Sequence, residues 1–389
     1  MTSPLALYIH IPFCQRKCPY CDFNTYAGRK GQYDAFVQAL ATDIHQTGEG
    51  LGRPPVRTVF LGGGTPTVLE PRHFHLLFEA LHRGFDILPD AEITSEANPG
   101  TVDASRFETL RGLGVNRLSM GVQSFEDEEL RFLGRIHTAE EARAAFHLAR
   151  RLGFDNISLD FMFGLPHQSP HTWRNTLQTA IDLHPQHLSL YSLTVEPGTA
   201  LAAWVARGQV AAPDPDGTAD LYEAAQRALA TAGFVQYEIS NWALGPMDAH
   251  LLPRFAARHN VVYWRNEPYL GFGPGAHSWF RRVRRAVIND VGEYIRRVEA
   301  GRPYWSMEEP IPLELEMGET MMLGLRLVQT GVERAAFRER FGIDVTEAYP
   351  DEISSLLAAE LIELTPERVR LAPNALLIGN EVFATFLPD

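Results

Sequence analysis

The order of β-rich and helical stretches constrains the fold of this 389-residue chain more than any other feature. Short runs with few charges and many Val, Ile, Leu, Phe or Tyr residues occupy the first half, and stretches with helical spacing separate them. Strands that alternate with helices form parallel sheets with helical crossovers. The repeats favour an α/β fold, an open barrel of (β/α)6 type, although spacing alone leaves a doubly wound sheet open. The predicted strands are Leu5–Ile11, Val56–Gly62, Ala91–Ala97, Arg117–Val122, Asn156–Met162 and His187–Leu193.

The pattern changes after about residue 200. A segment rich in Gly, Pro, His and Trp follows, and the prolines of Gly301–Pro312 predict a linker. The end of the chain contains helical stretches and then a hairpin around Thr365–Glu367, which predicts a small α+β domain of winged-helix-like form. The expected parts are a barrel over 1–240, a connecting region over 241–305 and a C-terminal domain over 306–389.

Charge and hydropathy exclude several classes of protein. The net charge is −13 and the C-terminal helices show no basic recognition surface, so packing or a lid role is expected for that domain and no nucleic-acid partner. The first residues lack the basic region of a signal peptide, and no apolar run reaches the roughly 18–20 residues of a membrane span. We therefore expect a soluble, cytoplasmic protein without an integral membrane segment.

All three cysteines lie in one short run, Cys14-Gln-Arg-Lys-Cys18-Pro-Tyr-Cys21. An odd number this close together cannot form a disulfide framework, and buried cysteines without a chemical role are the plain alternative. Thiolates are soft ligands that suit zinc or iron–sulfur clusters. A structural zinc site takes four ligands and the chain has no fourth cysteine, so the run predicts a [4Fe–4S] cluster with one iron left open.

The CxxxCxxC spacing, with Tyr20 before the third cysteine, resembles the hallmark of the radical-SAM superfamily. The resemblance implies a TIM-like partial barrel of radical-SAM type. It also implies that the amine and carboxylate of S-adenosylmethionine (SAM) bind the open iron. An electron from the cluster then cleaves SAM to methionine and a 5′-deoxyadenosyl radical.

Further polar residues follow the predicted strands, where parallel barrels place their sites. The glycine-rich segment Leu61–Thr67 lacks the lysine of a phosphate loop and resembles the SAM amino-binding segment of the superfamily. Each polar residue could instead be a surface or packing residue, but Arg135 is suited to a bidentate pair with the SAM carboxylate. The residues that match SAM contacts of the family are Tyr8, Tyr20, Gly63, Gly64, Thr65, Glu96, Gln123, Arg135 and Asp160.

The segments YIHIPFC, GGGTPT, GVQSF, DFMFGLP and GFGPGAHS together resemble the oxygen-independent coproporphyrinogen III oxidases and their haem-chaperone relatives. The resemblance covers nearly the whole chain. The oxidases carry a further cysteine where this chain has Phe23, and an extension before the first strand, whereas Tyr8 lies close to the start here. Both differences disfavour coproporphyrinogen oxidation.

The segment His259–Trp264, HNVVYW, resembles the HNxxYW motif of the chaperone branch, whose histidine is associated with haem. Imidazole is a common axial ligand of haem iron, so the resemblance implies that His259 binds haem. His250 and His277 are alternative ligands. The preceding segment, Ala243–Ala257, is longer than the usual connection of the family and could move His259 or add His250 to the site.

The leading hypothesis is a haem chaperone that binds haem and delivers it to haem-requiring proteins, with a [4Fe–4S] cluster and SAM as further cofactors. The alternative is an enzyme that decarboxylates coproporphyrinogen III through a SAM-derived radical; no catalytic residue is assigned. The expected partners are haem, haem-accepting proteins (respiratory proteins among them) and an electron donor. A homodimer is left open. A DNA-binding regulator would need a basic helix that the sequence lacks.

Overall fold

The computed structural model of the chain describes residues 4–388, so the outermost ends of the first and last expected domains lie outside the described residues. The strands, in chain order, are β1 (Leu5–Ile11), β2 (Phe13–Cys14), β3 (Tyr26–Ala27), β4 (Pro55–Gly63), β5 (Asp86–Ala97), β6 (Arg117–Gln123), β7 (Ile157–Phe163), β8 (His187–Ser192), β9 (Val235–Glu238), β10 (Asn241–Ala243), β11 (Tyr269–Phe272), β12 (His277–Phe280), β13 (Val283–Val287), β14 (Trp305–Pro310), β15 (Val332–Glu333), β16 (Ile362–Leu364) and β17 (Arg368–Leu371).

The helices, in chain order, are α1 (Tyr33–Gly50), α2 (Pro71–Gly84), α3 (Ala104–Gly112), α4 (Asp127–Phe132), α5 (Ala139–Arg151), α6 (Pro170–Asp182), α7 (Ala200–Ala206), α8 (Pro215–Thr231), α9 (Arg258–Trp264), α10 (Val291–Glu299), α11 (Leu313–Gly324), α12 (Arg334–Phe341), α13 (Val345–Ala348), α14 (Pro350–Ala358) and α15 (Gly379–Ala384). Within residues 4–388, none of them combines the length and the apolar character that a bilayer crossing requires.

The strands expected from the first half of the sequence are confirmed as the parallel core of the main sheet. β1, β4, β5, β6, β7 and β8 lie side by side in that order, and each neighbouring pair is parallel. Helices α1 to α6 supply the crossovers between them. The sheet has two free edges and does not close, so the predicted open partial barrel is confirmed.

Strands from the second half of the chain extend this sheet at both edges. β10 and then β9 join β8 in antiparallel fashion, while β11 pairs in parallel with the outer side of β1 and leads to β12, β13 and β14. The linker expected over Gly301–Pro312 is therefore wrong in part, because Trp305–Pro310 forms β14 against β13. Pro310, the last residue of β14, is tolerated because β14 is an edge strand whose outer side needs no hydrogen bonds.

β6 shows how the sheet separates its core from its interior face. Leu118, Met120 and Val122 are fully buried and belong to the main hydrophobic core. The alternate residues Arg117 and Gln123, with Ser119 and Gly121 between them, line a cavity on the other face. Successive side chains of a strand point to opposite faces, so one strand supplies both the packing and the site.

The C-terminal domain has a separate hydrophobic core, which includes Met321, Phe337 and Val369. β15, β17 and β16 form a small antiparallel sheet, and the hairpin expected around Thr365–Glu367 is confirmed as the β16–β17 connection. Helix α11 faces the main sheet, where Glu319 pairs with Arg284 of β13 at 2.6 Å.

Candidate functional site

The cysteine loop is held in place by backbone hydrogen bonds. β2 and β3 pair in parallel and bring the two ends of the loop together. The N–H of Cys21 donates to the carbonyl of Cys18 at 3.2 Å, and the N–H of Leu201 at the start of α7 donates to the carbonyl of Pro19 at 2.8 Å. The chain itself therefore shapes the loop that presents the three thiols.

The glycine-rich segment lies directly beneath this loop. The N–H of Gly64 donates to the carbonyl of Ile11 at 2.9 Å, and the N–H of Thr65 donates to the carbonyl of Phe13 at 2.8 Å. A Cβ on Gly64 would lie 2.6 Å from that Phe13 oxygen, a distance that no side chain tolerates. Gly63 has a φ of 102° and packs against the ring of His10. Close backbone approach thus explains these glycines.

The thiols have polar neighbours that suit a cluster. The hydroxyl of Thr65 donates to Cys14 Sγ at 3.5 Å, and Nη1 of Arg135 donates to Cys18 Sγ at 3.6 Å. Burial raises the pKa of Cys14 and Cys21, which disfavours free thiolates at neutral pH. Within residues 4–388, no three His, Cys, Asp or Glu side chains are grouped closely enough to hold a single metal ion.

The interior face of the barrel encloses a cavity of about 530 Å³ next to the cysteine loop. All but two of the residues expected to bind the cluster, SAM or haem line it, and the exceptions are Tyr8 and His259. The expected residues follow neighbouring parallel strands, and the carboxyl ends of such strands lie at the same edge of the sheet. This explains why these residues lie around one cavity. The expected residues around the cavity are Cys14, Cys18, Tyr20, Cys21, Gly63, Gly64, Thr65, Glu96, Gln123, Arg135 and Asp160.

Two carboxyl groups in this cavity have raised pKa values. Burial, and then the nearby Asp160, raise the pKa of Glu96 to about 8, although the N–H of Gly63 donates to it at 3.1 Å. Burial also raises the pKa of Asp160, which accepts hydrogen bonds from the hydroxyls of Ser119 at 2.9 Å and Ser158 at 3.1 Å. At neutral pH Glu96 is therefore mostly protonated and can donate or accept hydrogen bonds.

Unpartnered polar atoms in the cavity fit a polar ligand such as SAM. The Oε1 of Gln123 and the Nε of Arg135 are buried and lack hydrogen bonds within residues 4–388. Gln123 also has a φ of 72°, in the left-handed region that non-glycine residues seldom adopt. A strained backbone and buried polar atoms without hydrogen bonds are typical of binding sites, where a ligand supplies the missing partners.

A second, smaller cavity of about 270 Å³ adjoins the first. Gly63, Glu96 and Phe23 line both cavities, and Phe23 leaves 62% of its surface exposed. Tyr8 lies in this second cavity and not in the first, with its hydroxyl 2.9 Å from Nδ1 of His10. Most of the remaining wall is aromatic, with tyrosines of α9 and β11 and the imidazole of His277, and Asn24 and Gly275 complete it.

His259 is buried in the first turn of α9 and lines neither cavity. Its Nδ1 lies 2.9 Å from the hydroxyl of Thr58, and its Nε2 lies 2.8 Å from the hydroxyl of Tyr263. The ring stacks on Phe60 at 5.2 Å, and burial lowers its pKa to about 3, so the imidazole is neutral. Both ring nitrogens are thus engaged by the chain itself.

The neighbours of His259 connect its motif to both cavities. Asn260 lines the first cavity and Tyr263 lines the second. Of the alternative ligands, His250 is exposed and pairs with Glu333 at 3.0 Å, far from the barrel interior. His277 lines the second cavity, and its imidazole has no hydrogen bond to another described residue.

Several cavity residues were missed in the sequence, among them Arg117, Ser119, Ser189 and Tyr191. The alternation in the strand sequence RLSMGVQ could have revealed two of them. Arg117 and Ser119 lie an even number of positions from Gln123, so their side chains lie on the same face of β6 as that of Gln123. A strand that turns one polar residue inward turns its alternate neighbours inward too.

Known protein families match both parts of the chain. The model of the radical SAM superfamily matches residues 8–180, and that of the HemN C-terminal domain matches residues 311–378. The solved structure of coproporphyrinogen III oxidase (HemN) from Escherichia coli, a radical SAM enzyme, superposes with a TM-score of 0.85 at 23% identity and covers 98% of this chain and 90% of its own. The fold and the cysteine-lined barrel therefore define a radical SAM protein.

Curated relatives identify the family, within the radical SAM proteins, to which the chain belongs. The heme chaperone HemW of Bacillus subtilis is 38% identical over 386 residues, which cover 99% of each chain. The heme chaperone HemW of Escherichia coli is 45% identical over 278 residues, which cover 71% of this chain and 70% of its own. The chain belongs to the HemW family, a branch of the oxygen-independent coproporphyrinogen III oxidase family.

Proposed function

We propose that this protein is a haem chaperone that binds haem and passes it to haem-requiring proteins, and that it carries a [4Fe–4S] cluster and SAM. The observation that carries the proposal is the pair of adjoining cavities. One is lined by the three thiols and by unpartnered polar atoms, and the other has an aromatic wall that suits a porphyrin face. The names of the curated relatives support haem as the ligand.

Residues of the first cavity would hold the cluster and SAM. Cys14, Cys18 and Cys21 would be the thiolate ligands, and the cluster would supply the electron for SAM cleavage when bound. Arg135, which donates to Cys18 Sγ, would bind the carboxylate of SAM. Glu96 and the backbone of the glycine-rich segment offer hydrogen bonds to an amine or a ribose.

Haem ligation by His259 needs a local change of partners. Thr58 would keep its hydrogen bond to Nδ1 and orient the ring, as outer partners of metal-bound histidines do. The hydroxyl of Tyr263 would have to leave Nε2 before iron could bind there. His277 already faces a cavity, and it is the alternative ligand that needs no such change.

Titration of the purified protein with haem, followed in the Soret band, tests this proposal. We expect a shifted Soret band in the wild type and a lower affinity after His259→Ala. Tyr263→Phe should raise the affinity, because it removes the group that competes with iron for Nε2. His277→Ala tests the alternative ligand and should leave the affinity unchanged if His259 binds the iron. A loss of binding in that variant alone would identify His277 as the ligand, and no Soret shift in the wild type would reject the proposal.

Coproporphyrinogen oxidation is the alternative function. Phe23 occupies the position of the additional cysteine of the oxidases and lies exposed where the two cavities meet. An anaerobic assay with coproporphyrinogen III, SAM and a reductant distinguishes the two functions. We expect no protoporphyrinogen, and its formation would establish the enzyme instead.

Delivery to acceptors belongs to the same proposal. We infer a cytoplasmic site of action, an electron donor for the cluster and acceptors that include respiratory proteins. Incubation of the haem-loaded protein with an apo-acceptor should transfer the Soret absorbance to the acceptor fraction. Haem that stays with the donor at equilibrium would contradict delivery.

A further inference from the structure

A buried arginine faces the barrel interior far from the cysteine loop. Arg117 and Gln123 are the first and last residues of β6, and both line the large cavity. A strand advances about 3.3 Å per residue, so their backbones are roughly 20 Å apart. The cysteine loop follows the carboxyl end of β1, which is parallel to β6 through the sheet. Arg117 therefore lies at the opposite end of the cavity from the thiols.

The guanidinium of Arg117 has no partner in the described part of the chain. The residue is 2% exposed, and its Nε is buried without a hydrogen bond. Neither an ion pair nor a hydrogen bond joins it to another residue between 4 and 388. Arg117 interacts electrostatically with Asp160 and partly offsets the rise that burial causes in its pKa, but the carboxylate of Asp160 is hydrogen-bonded to the hydroxyls of Ser119 and Ser158 and forms no ion pair with Arg117.

A second unpartnered group lies beside it. Thr94 of β5 is the register partner of Arg117, and it is fully buried with an Oγ1 that lacks a hydrogen bond. Thr94 is two residues from Glu96 on the same strand, so both side chains point to the interior face. Thr94 does not line the cavity, whereas Arg117 does, so the guanidinium is the donor that a ligand in the cavity would meet.

Such an arrangement is costly to the ligand-free protein. A buried charge without a partner destabilises a fold, because its interaction with water is lost and nothing replaces it. Proteins keep a destabilising group of this kind mainly where function requires it. The planar guanidinium matches the two oxygens of a carboxylate, with two parallel hydrogen bonds.

We propose that Arg117 binds a carboxylate of a ligand that enters the barrel. The site is separate from Arg135 and the thiols. The identity of the ligand rests on the proposed function, which supplies two sources of a carboxylate: a propionate of the tetrapyrrole, and the amino-acid end of a SAM molecule other than the one at Arg135 and the thiols.

Arg117→Met tests the proposal through stability and affinity together. In urea unfolding of the ligand-free protein, this variant should be at least as stable as the wild type, because it removes an unpaired buried charge. Arg150→Met is the matched control, since Arg150 donates to the carbonyls of Phe154 and His184 and to the side chain of Gln186. The control should lose stability and keep its affinities.

Ligand pairs with and without the carboxylate identify the source. Haem is compared with its dimethyl ester in the Soret band, and SAM is compared with 5′-methylthioadenosine by calorimetry on anaerobically reconstituted protein. Arg117→Met should weaken haem or SAM by about tenfold or more and leave the matching carboxylate-free analogue unchanged. The pair in which only the carboxylate-bearing compound binds more weakly to the variant identifies the ligand.

Two outcomes would overturn the proposal. One is unchanged affinity for both haem and SAM. The other is an equal loss for a carboxylate ligand and its analogue together with lower stability, which would indicate a packing role. A wild type that binds no haem would reject the proposed chaperone function, but the SAM pair would still decide the role of Arg117.

Discussion

At the scale of single residues, the cysteine loop depends on close backbone packing. Gly64 lies against the carbonyls of Ile11 and Phe13, which accept hydrogen bonds from this segment. The loop that presents the thiols is therefore positioned by contacts that no larger residue at position 64 would allow.

Gly64→Ala should lower the free energy of unfolding by about 1–3 kcal/mol, because the new methyl group displaces the loop backbone. Urea unfolding of the cluster-free protein measures the loss, and the iron content after anaerobic reconstitution should also fall. Gly31→Ala is the control, since a Cβ there meets no atom within 4 Å. Equal stability of the two variants would contradict this account of the loop.

At the scale of elements, a buried carboxyl group joins helix α1 to α10 and to the segment before β14. Asp43 is 3% exposed and accepts hydrogen bonds from the hydroxyls of Tyr294, at 2.7 Å, and Tyr304. Burial raises the pKa of Asp43 from 3.8 to about 6. The folded protein therefore holds a proton that the unfolded chain releases near pH 4, and this contribution to stability is lost as the pH rises through 6.

Asp43→Asn should remove this pH dependence, because the amide stays neutral and keeps partners for both hydroxyls. Between pH 4 and pH 7 the wild type should lose about 2.4 kcal/mol relative to the variant. Urea unfolding at several pH values measures the difference. Asp34→Asn on the same helix is a contrasting control: hydrogen bonds from His73 and Arg72 lower the pKa of Asp34, so its contribution is lost on acidification instead.

At the scale of the whole molecule, ion pairs connect the C-terminal domain to the extended sheet. Glu319 of α11 is 8% exposed and receives two hydrogen bonds from Arg284 of β13, at 2.6 and 2.7 Å. Glu316 of the same helix pairs with Arg282 at 2.9 Å. The added strands β12 to β14 therefore give this domain a surface against which it docks.

Glu319→Gln should destabilise the protein by about 2 kcal/mol, because it leaves Arg284 without its charged partner. Glu308→Gln on the same hairpin breaks an exposed pair with Arg285 and should cost less than about 1 kcal/mol. Thermal unfolding of the two variants gives the comparison. A similar loss in both would show that burial does not strengthen the contact between α11 and the sheet.

The sequence by itself determined the class of this protein. The spacing of Cys14, Cys18 and Cys21 is local, and a local motif keeps its meaning wherever the chain folds. The parallel core followed from the alternation of strands and helices, and the convergence of polar residues followed from the geometry of parallel strand ends. The C-terminal hairpin was predictable for the same reason, since its turn and strands are neighbours in sequence.

Only the tertiary structure decided what depends on distant partners. β11 joins the outer side of β1 across more than half of the chain, and no local pattern specifies that pairing. His259 is buried by contacts with Thr58 and Phe60 of β4, so a residue expected to meet haem has its ring nitrogens engaged by the protein. The exposed position of Phe23 and the unpartnered guanidinium of Arg117 likewise emerge only when the strands come together, because burial and pairing are properties of the packed molecule.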